Sequence, residues 1–135
     1  MNRTFKRTLS ALDAVFDFVD AFARAENLSD AASFPVRFAA EEIFTNLVKY
    51  NSASEYDIEL QFRKDGDRLV LEFIDHTDKP FDLSAFPDVD VDGSLSERKP
   101  GGLGIHLTKQ FVDEVQYSFD GGRSRTTLIK YLEKK

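Results

Sequence analysis

The spacing of the hydrophobic residues changes in the middle of this chain, and this change constrains the fold more than any other feature. Over residues 12–26 and again over 33–50, apolar side chains recur every three or four positions, which indicates two amphipathic helices. After the polar stretch NSASE, the apolar residues from Tyr56 to Phe62 alternate with polar ones, as in a half-buried strand. The sequence therefore predicts helices that pack against a sheet.

Local signals set the expected ends of the first elements. Residues 5–9 are compatible with a short strand, and Ser10 with Asp13 forms a candidate capping box for the first helix. The second helix is expected to begin near Ser33 and to hold Pro35 in its first turn, where proline is tolerated.

Turn residues predict two hairpins in the second half of the chain. Asp65-Gly66 joins the first strand to a second one over 69–75, and Asp120-Gly121-Gly122 joins strands over 115–119 and 125–132. With a further helix over 105–112, the order is β-α-α-β-β-loop-α-β-β. We expect one domain over residues 1–135, an α/β two-layer sandwich whose mixed, mostly antiparallel sheet carries helices on one face.

Composition excludes several classes of function. The chain has 135 residues and a net charge of −6, which disfavours direct binding of nucleic acid or of an anionic membrane. It has no cysteine and two histidines, so thiolate chemistry is excluded and a histidine-rich metal site is disfavoured. No apolar run approaches the length of a membrane span, and a cytoplasmic location is expected.

Glycines are concentrated in the stretch PGGLGIHL, residues 100–107. Gly102 and Gly104 lie just before the predicted helix, where backbone can approach a phosphate and the helix N-terminus offers free N–H groups. The stretch is neither a Walker loop nor a dinucleotide fingerprint. Taken alone, such a stretch is more often a simple glycine hinge before a helix than a phosphate site.

Three polar residues are candidates for chemistry. Glu42 and Asn46 are four positions apart on the second helix, where a carboxylate could accept a proton and an amide oxygen could bind Mg²⁺. Asp75 ends a predicted strand and could accept a hydrogen bond from an exocyclic amine such as that of adenine. Each also has a plain structural interpretation, as a solvated helix edge or a turn residue.

Taken together, these stretches resemble the conserved boxes of one family. EIFTN, DHTDKPFD and GGLGIHL, in this order, are similar to the N, G1 and G2 boxes of the Bergerat-fold ATPases. Within that superfamily, the chain resembles the anti-sigma-factor serine/threonine kinases from about Phe5 to Tyr131, and GGRSRTTLIKYL is similar to their final hairpin.

The resemblance implies a role for each matching residue. Glu42 would be the general base, Asn46 would hold Mg²⁺, and Asp75 would bind the adenine amino group of ATP. Two threonines would lie against the base, Thr77 beneath it and Thr127 supporting it from the last strand.

The lid and the partners also follow from the resemblance. Gly102 and Gly104 would let an ATP lid over residues 81–104 pass close to the phosphates. Arg98 and Lys99 carry a charge that suits a phosphate and equally suits a solvated surface. The implied partners are an anti-anti-sigma protein of the STAS type, a sigma factor and a second copy of the chain.

Three functional hypotheses remain open on the sequence. The first is an ATP-dependent kinase that phosphorylates a serine or threonine of the anti-anti-sigma partner, which Glu42 favours because a pure binder needs no base. The second is a nonenzymatic regulator that acts by protein contact, which Thr77 favours because it replaces the family's usual glycine with a β-branched residue. The third is an α/β domain in which the boxes are coincidental.

Overall fold

The computed structural model describes residues 1–50, 55–76, 108 and 110–132, and the backbone alone of residue 50. The strands are β1 (Asn2–Phe5), β2 (Ile58–Asp65), β3 (Arg68–His76), β4 (Glu114–Asp120) and β5 (Arg123–Tyr131). The helices are α1 (Leu12–Ala25), after a short 3₁₀ turn at Leu9–Ala11, and α2 (Asp30–Tyr50). Of the predicted helix over 105–112, the structure describes Thr108, Gln110, Phe111 and Val112; the first three are helical, and Val112 lies in the bend that follows.

The five strands form one sheet in the order β1-β2-β3-β5-β4. Every pairing among the described strands is antiparallel, so this part of the sheet is not mixed. The two predicted hairpins are confirmed. Gly66 and Gly121 supply the positive φ angles of 66° and 59° that their turns require.

Both helices cover the same face of the sheet, as the hydrophobic pattern predicted. The core is formed by alternate side chains of the strands and by the apolar stripes of α1 and α2. Phe22 of α1 stacks on Phe62 of β2, with ring centroids 3.8 Å apart and ring planes 11° apart. Burial of each such side chain stabilises the fold by about 1.5–3 kcal/mol.

The start of α1 differs from the prediction. β1 ends at Phe5, and Ser10 does not cap the helix; its hydroxyl is 2.8 Å from that of Thr8. Ala11 takes the N-cap position and makes no side-chain capping bond. The predicted strand over 5–9 and the Ser10 capping box are therefore wrong: β1 ends at Phe5, residues 6–8 form no regular element, and the 3₁₀ turn takes up Leu9–Ala11.

The start of α2 also differs. Ser29 accepts a hydrogen bond at its hydroxyl from the Ala32 amide over 3.2 Å, so the helix begins at Asp30 rather than near Ser33. Pro35 consequently lies beyond the first turn, inside the helix. Within the part of the chain that the structure describes, no helix combines the length and apolar character needed to cross a bilayer.

Candidate functional site

Asp75 and Arg7 form a buried ion pair where β3 meets the helical layer. The Arg7 guanidinium contacts both carboxylate oxygens, Nη2 approaching Oδ1 and Nη1 lying 3.4 Å from Oδ2. The side chains are only 6% (Arg7) and 1% (Asp75) exposed. A forked pair of this kind is stronger and more directional than a neutral hydrogen bond.

Arg7 also connects the elements around Asp75. Its Nη1 lies 3.3 Å from the Leu47 carbonyl oxygen near the end of α2, and its Nε donates to the Tyr56 carbonyl oxygen over 3.2 Å. One guanidinium thus links α2, the residues that lead into β2, and the end of β3.

Asn46 points into the interior from α2 and has an unused acceptor. Its amide nitrogen donates to the Glu42 backbone carbonyl over 2.6 Å, and the residue is 2% exposed. Its Oδ1 is buried and has no hydrogen-bond partner among the described residues. A buried carboxamide oxygen without a partner costs free energy, so this atom suggests a ligand.

Glu42 lies one turn before Asn46 and is half-buried. Burial raises the pKa of its carboxyl above the usual 4.5, the negative charge of Glu41 raises it further, and Lys49 opposes the shift. A carboxyl group with a raised pKa is better suited to accept a proton near neutral pH.

Thr127 lies on the other face of the sheet from Asp75. It pairs with Glu72 in the β3–β5 register, and with Arg125 and Ile129 it lines a shallow concavity of about 390 Å³ on the outer face. Asp75 is opposite Ser124 instead, whose hydroxyl donates to the Asp75 carbonyl over 3.4 Å. The structure therefore does not bring Thr127 and the Asp75 carboxylate together.

Thr126 is the threonine on the face that carries Asp75. It pairs with Phe73, which belongs to the core beneath the helices, and it is buried. Because side chains alternate along a strand, Thr126 and Ser124 both point towards the helical layer.

A sequence profile of the histidine kinase-like ATPase domain matches residues 5–130. The chain belongs to this family. The family prediction is thereby confirmed, and ATP is the nucleotide that domains of the histidine kinase-like ATPase family bind. No curated protein sequence matches the chain.

Two solved structures resemble this histidine kinase-like ATPase in fold. A chain of the SiaB–SiaC complex from Pseudomonas aeruginosa superposes with a TM-score of 0.66 at 14% identity, covering 98% of this chain and 89% of that one. The histidine kinase AdeS of Acinetobacter baumannii gives a TM-score of 0.53 at 12% identity, covering 99% of this chain and 68% of that one. At these identities the likeness establishes the two-layer α/β fold, which confirms the predicted fold class.

The described residues fit a magnesium nucleotide in one respect and oppose it in another. The free Oδ1 of Asn46 is the kind of hard oxygen ligand that Mg²⁺ takes, usually together with phosphate oxygens. The Asp75 carboxylate, by contrast, is already held by Arg7. The residue to which the resemblance assigns the adenine contact is thus engaged by an arginine of the same chain.

Several predicted site residues lie outside the described residues. They are Thr77, Lys99, Gly102 and Gly104, together with Arg98 and the whole proposed lid over 81–104.

Sequence reasoning missed Arg7. It lies in a bend between β1 and the 3₁₀ turn, 68 positions from its partner Asp75. Nothing in the spacing of its neighbours distinguishes it from a surface arginine, so no local signal could have identified it.

Proposed function

We propose that the chain binds ATP with Mg²⁺ between α2 and the end of β3, and transfers the γ-phosphoryl group to a serine or threonine of an anti-anti-sigma partner. The observation that carries the proposal is the buried Oδ1 of Asn46, which has no hydrogen-bond partner in the described part of the chain. A magnesium ion bound there would neutralise charge on the phosphates.

Glu42 is the proposed general base. The hydroxyl oxygen of the partner's side chain forms a bond to the γ-phosphorus, the bond from that phosphorus to the β–γ bridging oxygen breaks, and ADP leaves. The hydroxyl proton passes to the Glu42 carboxylate, whose pKa is raised by burial. Phosphoryl transfer requires mainly positioning and charge neutralisation, so one carboxylate and one metal ligand on the same helix face are a sufficient protein contribution.

The proposed partners are an anti-anti-sigma protein of the STAS type, which receives the phosphoryl group, and a sigma factor, which the chain regulates by binding. We also propose that two copies of the chain form a homodimer, which light scattering after size exclusion tests. The solved structure of the SiaB–SiaC complex, in which a chain of this fold was crystallised with another protein, supports a role in protein contact.

A nonenzymatic regulator is the second candidate. The Arg7–Asp75 pair favours it, since an engaged carboxylate is not free to accept the adenine amine. Such a protein would bind its partners without transferring a phosphoryl group.

Calorimetry with MgATP, followed by phosphotransfer from radiolabelled ATP to candidate anti-anti-sigma proteins, separates the two. If the chain is a kinase, Asn46→Ala should bind MgATP more weakly than wild type. Glu42→Gln should still bind MgATP but should no longer transfer the phosphoryl group. A folded protein that binds ATP but transfers nothing to any partner it binds would favour the nonenzymatic regulator. A folded protein with neither ATP binding nor transfer would contradict the kinase.

A further inference from the structure

We propose that Arg7 controls access of the adenine base to Asp75 and thereby sets the affinity of the site for ATP. The inference rests on the proposed function, because it concerns the same carboxylate. It adds a specificity-determining residue from outside the three sequence boxes, carried by the segment between β1 and the 3₁₀ turn.

The Asp75 carboxylate is buried and engaged by Arg7. Both oxygens of Asp75 contact the Arg7 guanidinium, and the Asp75 side chain is 1% exposed. An adenine amino group must come within about 2.7–3.2 Å of a carboxylate oxygen to donate to it. Because the guanidinium engages both oxygens of this buried carboxylate, Arg7 has to move before the base reaches Asp75.

The ion pair between Arg7 and Asp75, which the base must break, is strong. Arg7 and Asp75 are both charged, and the guanidinium contacts both carboxylate oxygens. The adenine amine is a neutral donor and replaces only some of these contacts. When Arg7 withdraws, it also loses the carbonyl oxygens of Leu47 and Tyr56. ATP therefore binds a conformation that the free protein populates only in part, which lowers the apparent affinity.

A carboxylate at this position also distinguishes adenine from guanine. Adenine carries an amino group at the position where guanine carries a carbonyl oxygen, and a carboxylate accepts from the first and repels the second. Removal of Arg7 therefore takes away a donor that competes with the base for this acceptor, which benefits ATP and not GTP.

The experiment compares binding of MgATP and MgGTP by calorimetry to the wild-type chain, Arg7→Ala and Arg7→Lys. We expect Arg7→Ala to bind MgATP about tenfold more tightly than wild type, with no gain for MgGTP. Arg7→Lys keeps a positive charge next to Asp75 but cannot contact both carboxylate oxygens as the guanidinium does. Its affinity for MgATP should lie between those of wild type and Arg7→Ala.

Arg63→Ala is the matched control. Arg63 also pairs with a buried carboxylate, that of Glu72 at 3.2 Å, but on the outer face of the sheet. Its removal should leave the affinity for MgATP unchanged.

A second measurement covers the case in which Arg7→Ala does not fold. In the wild-type chain, the Nε–H resonance of the Arg7 side chain should shift as MgATP saturates the site. A resonance that stays in place at saturation would overturn the inference.

The outcomes separate the inference from the proposed function. Wild type that binds MgATP at least as tightly as a folded Arg7→Ala overturns the inference alone. No binding by any folded variant overturns the proposed function and the inference with it. Binding by Arg7→Ala but not by wild type supports both.

Discussion

The amide nitrogen of Asn46 donates a hydrogen bond to the Glu42 backbone carbonyl over 2.6 Å, one turn earlier on α2. This bond fixes the carboxamide and leaves its other end, Oδ1, buried without a partner among the described residues. Glu42 and Asn46, to which the proposed function assigns the general base and the magnesium ligand, are thus held next to each other by α2 itself.

Asn46→Ala should weaken binding of MgATP strongly while changing the free energy of unfolding by only about 1 kcal/mol. The small stability effect is expected because the substitution removes one hydrogen bond and also the unpaired buried oxygen. Calorimetry with Mg²⁺ and with a chelator, beside urea unfolding, checks both effects. Equal affinity of the two proteins in the presence of Mg²⁺ would contradict the assigned role of Asn46.

The rate of phosphotransfer should depend on the ionisation of Glu42. Burial and the neighbouring Glu41 raise the pKa of its carboxyl, so the acid limb of the rate profile should lie above pH 4.5. Glu42→Gln should abolish most of the transfer and remove this limb. A full rate in Glu42→Gln at neutral pH would exclude Glu42 as the base.

The ionised Glu42 carboxylate, which the proposed transfer requires, should lower the stability of the folded protein. A folded-state pKa above the unfolded value stabilises the protein below pH 4.5, and this contribution is lost as the pH rises through the raised pKa. At pH 7 the charged Glu42 is therefore unfavourable, and Glu42→Gln should raise the midpoint of thermal unfolding. The gain should disappear at low pH, where both side chains are neutral; a gain that is equal at both pH values would point to another cause.

The stack of Phe22 on Phe62 should be among the costly contacts to lose. Phe22→Ala leaves a cavity between α1 and the sheet and should lower the free energy of unfolding by about 3–5 kcal/mol. Phe119 is 38% exposed on β4, and Phe119→Ala should cost less than about 1 kcal/mol. Urea unfolding of both variants provides the comparison, and similar losses would mean that the stack is not part of a tight core.

The β2–β3 turn offers a test of backbone strain without crowding. A Cβ added at Gly66 would meet no atom within 4 Å, yet φ is +66°. Gly66→Ala should therefore cost about 1–2 kcal/mol through the left-handed backbone alone. Gly66→Asn should cost less, because asparagine tolerates this region; equal losses in the two variants would show that backbone strain is not the cause.

The fold could be predicted from the sequence wherever the spacing of the hydrophobic residues was clearly that of a helix or of a strand. Alternation and Asp65-Gly66 were enough to place the β2–β3 hairpin. The helix starts were less accurate. Ser10 bonds to the Thr8 hydroxyl instead of capping α1, and Ser29 caps α2 earlier in the chain than the start expected near Ser33. These choices depend on the local chain path.

The candidate site was predictable only where its residues share one element. Glu42 and Asn46 could be paired from helical spacing alone. The resemblance assigned the support of the base to Thr127, although Leu128 and Ile129 are both apolar and alternation does not reveal which face of the strand is covered. The β3–β5 register places Thr126, and not Thr127, on the face of the sheet that carries Asp75.

The bend that carries Arg7 connects the edge strand β1 to the ion pair with Asp75. Arg7 follows β1 by two residues, and β1 is an outer strand of four residues that pairs on one side with β2. A short edge strand is among the first segments of a fold to open. Opening of β1 would allow the Arg7 guanidinium to move away from Asp75. Variants in which the amides of β1 exchange faster should therefore bind ATP more tightly.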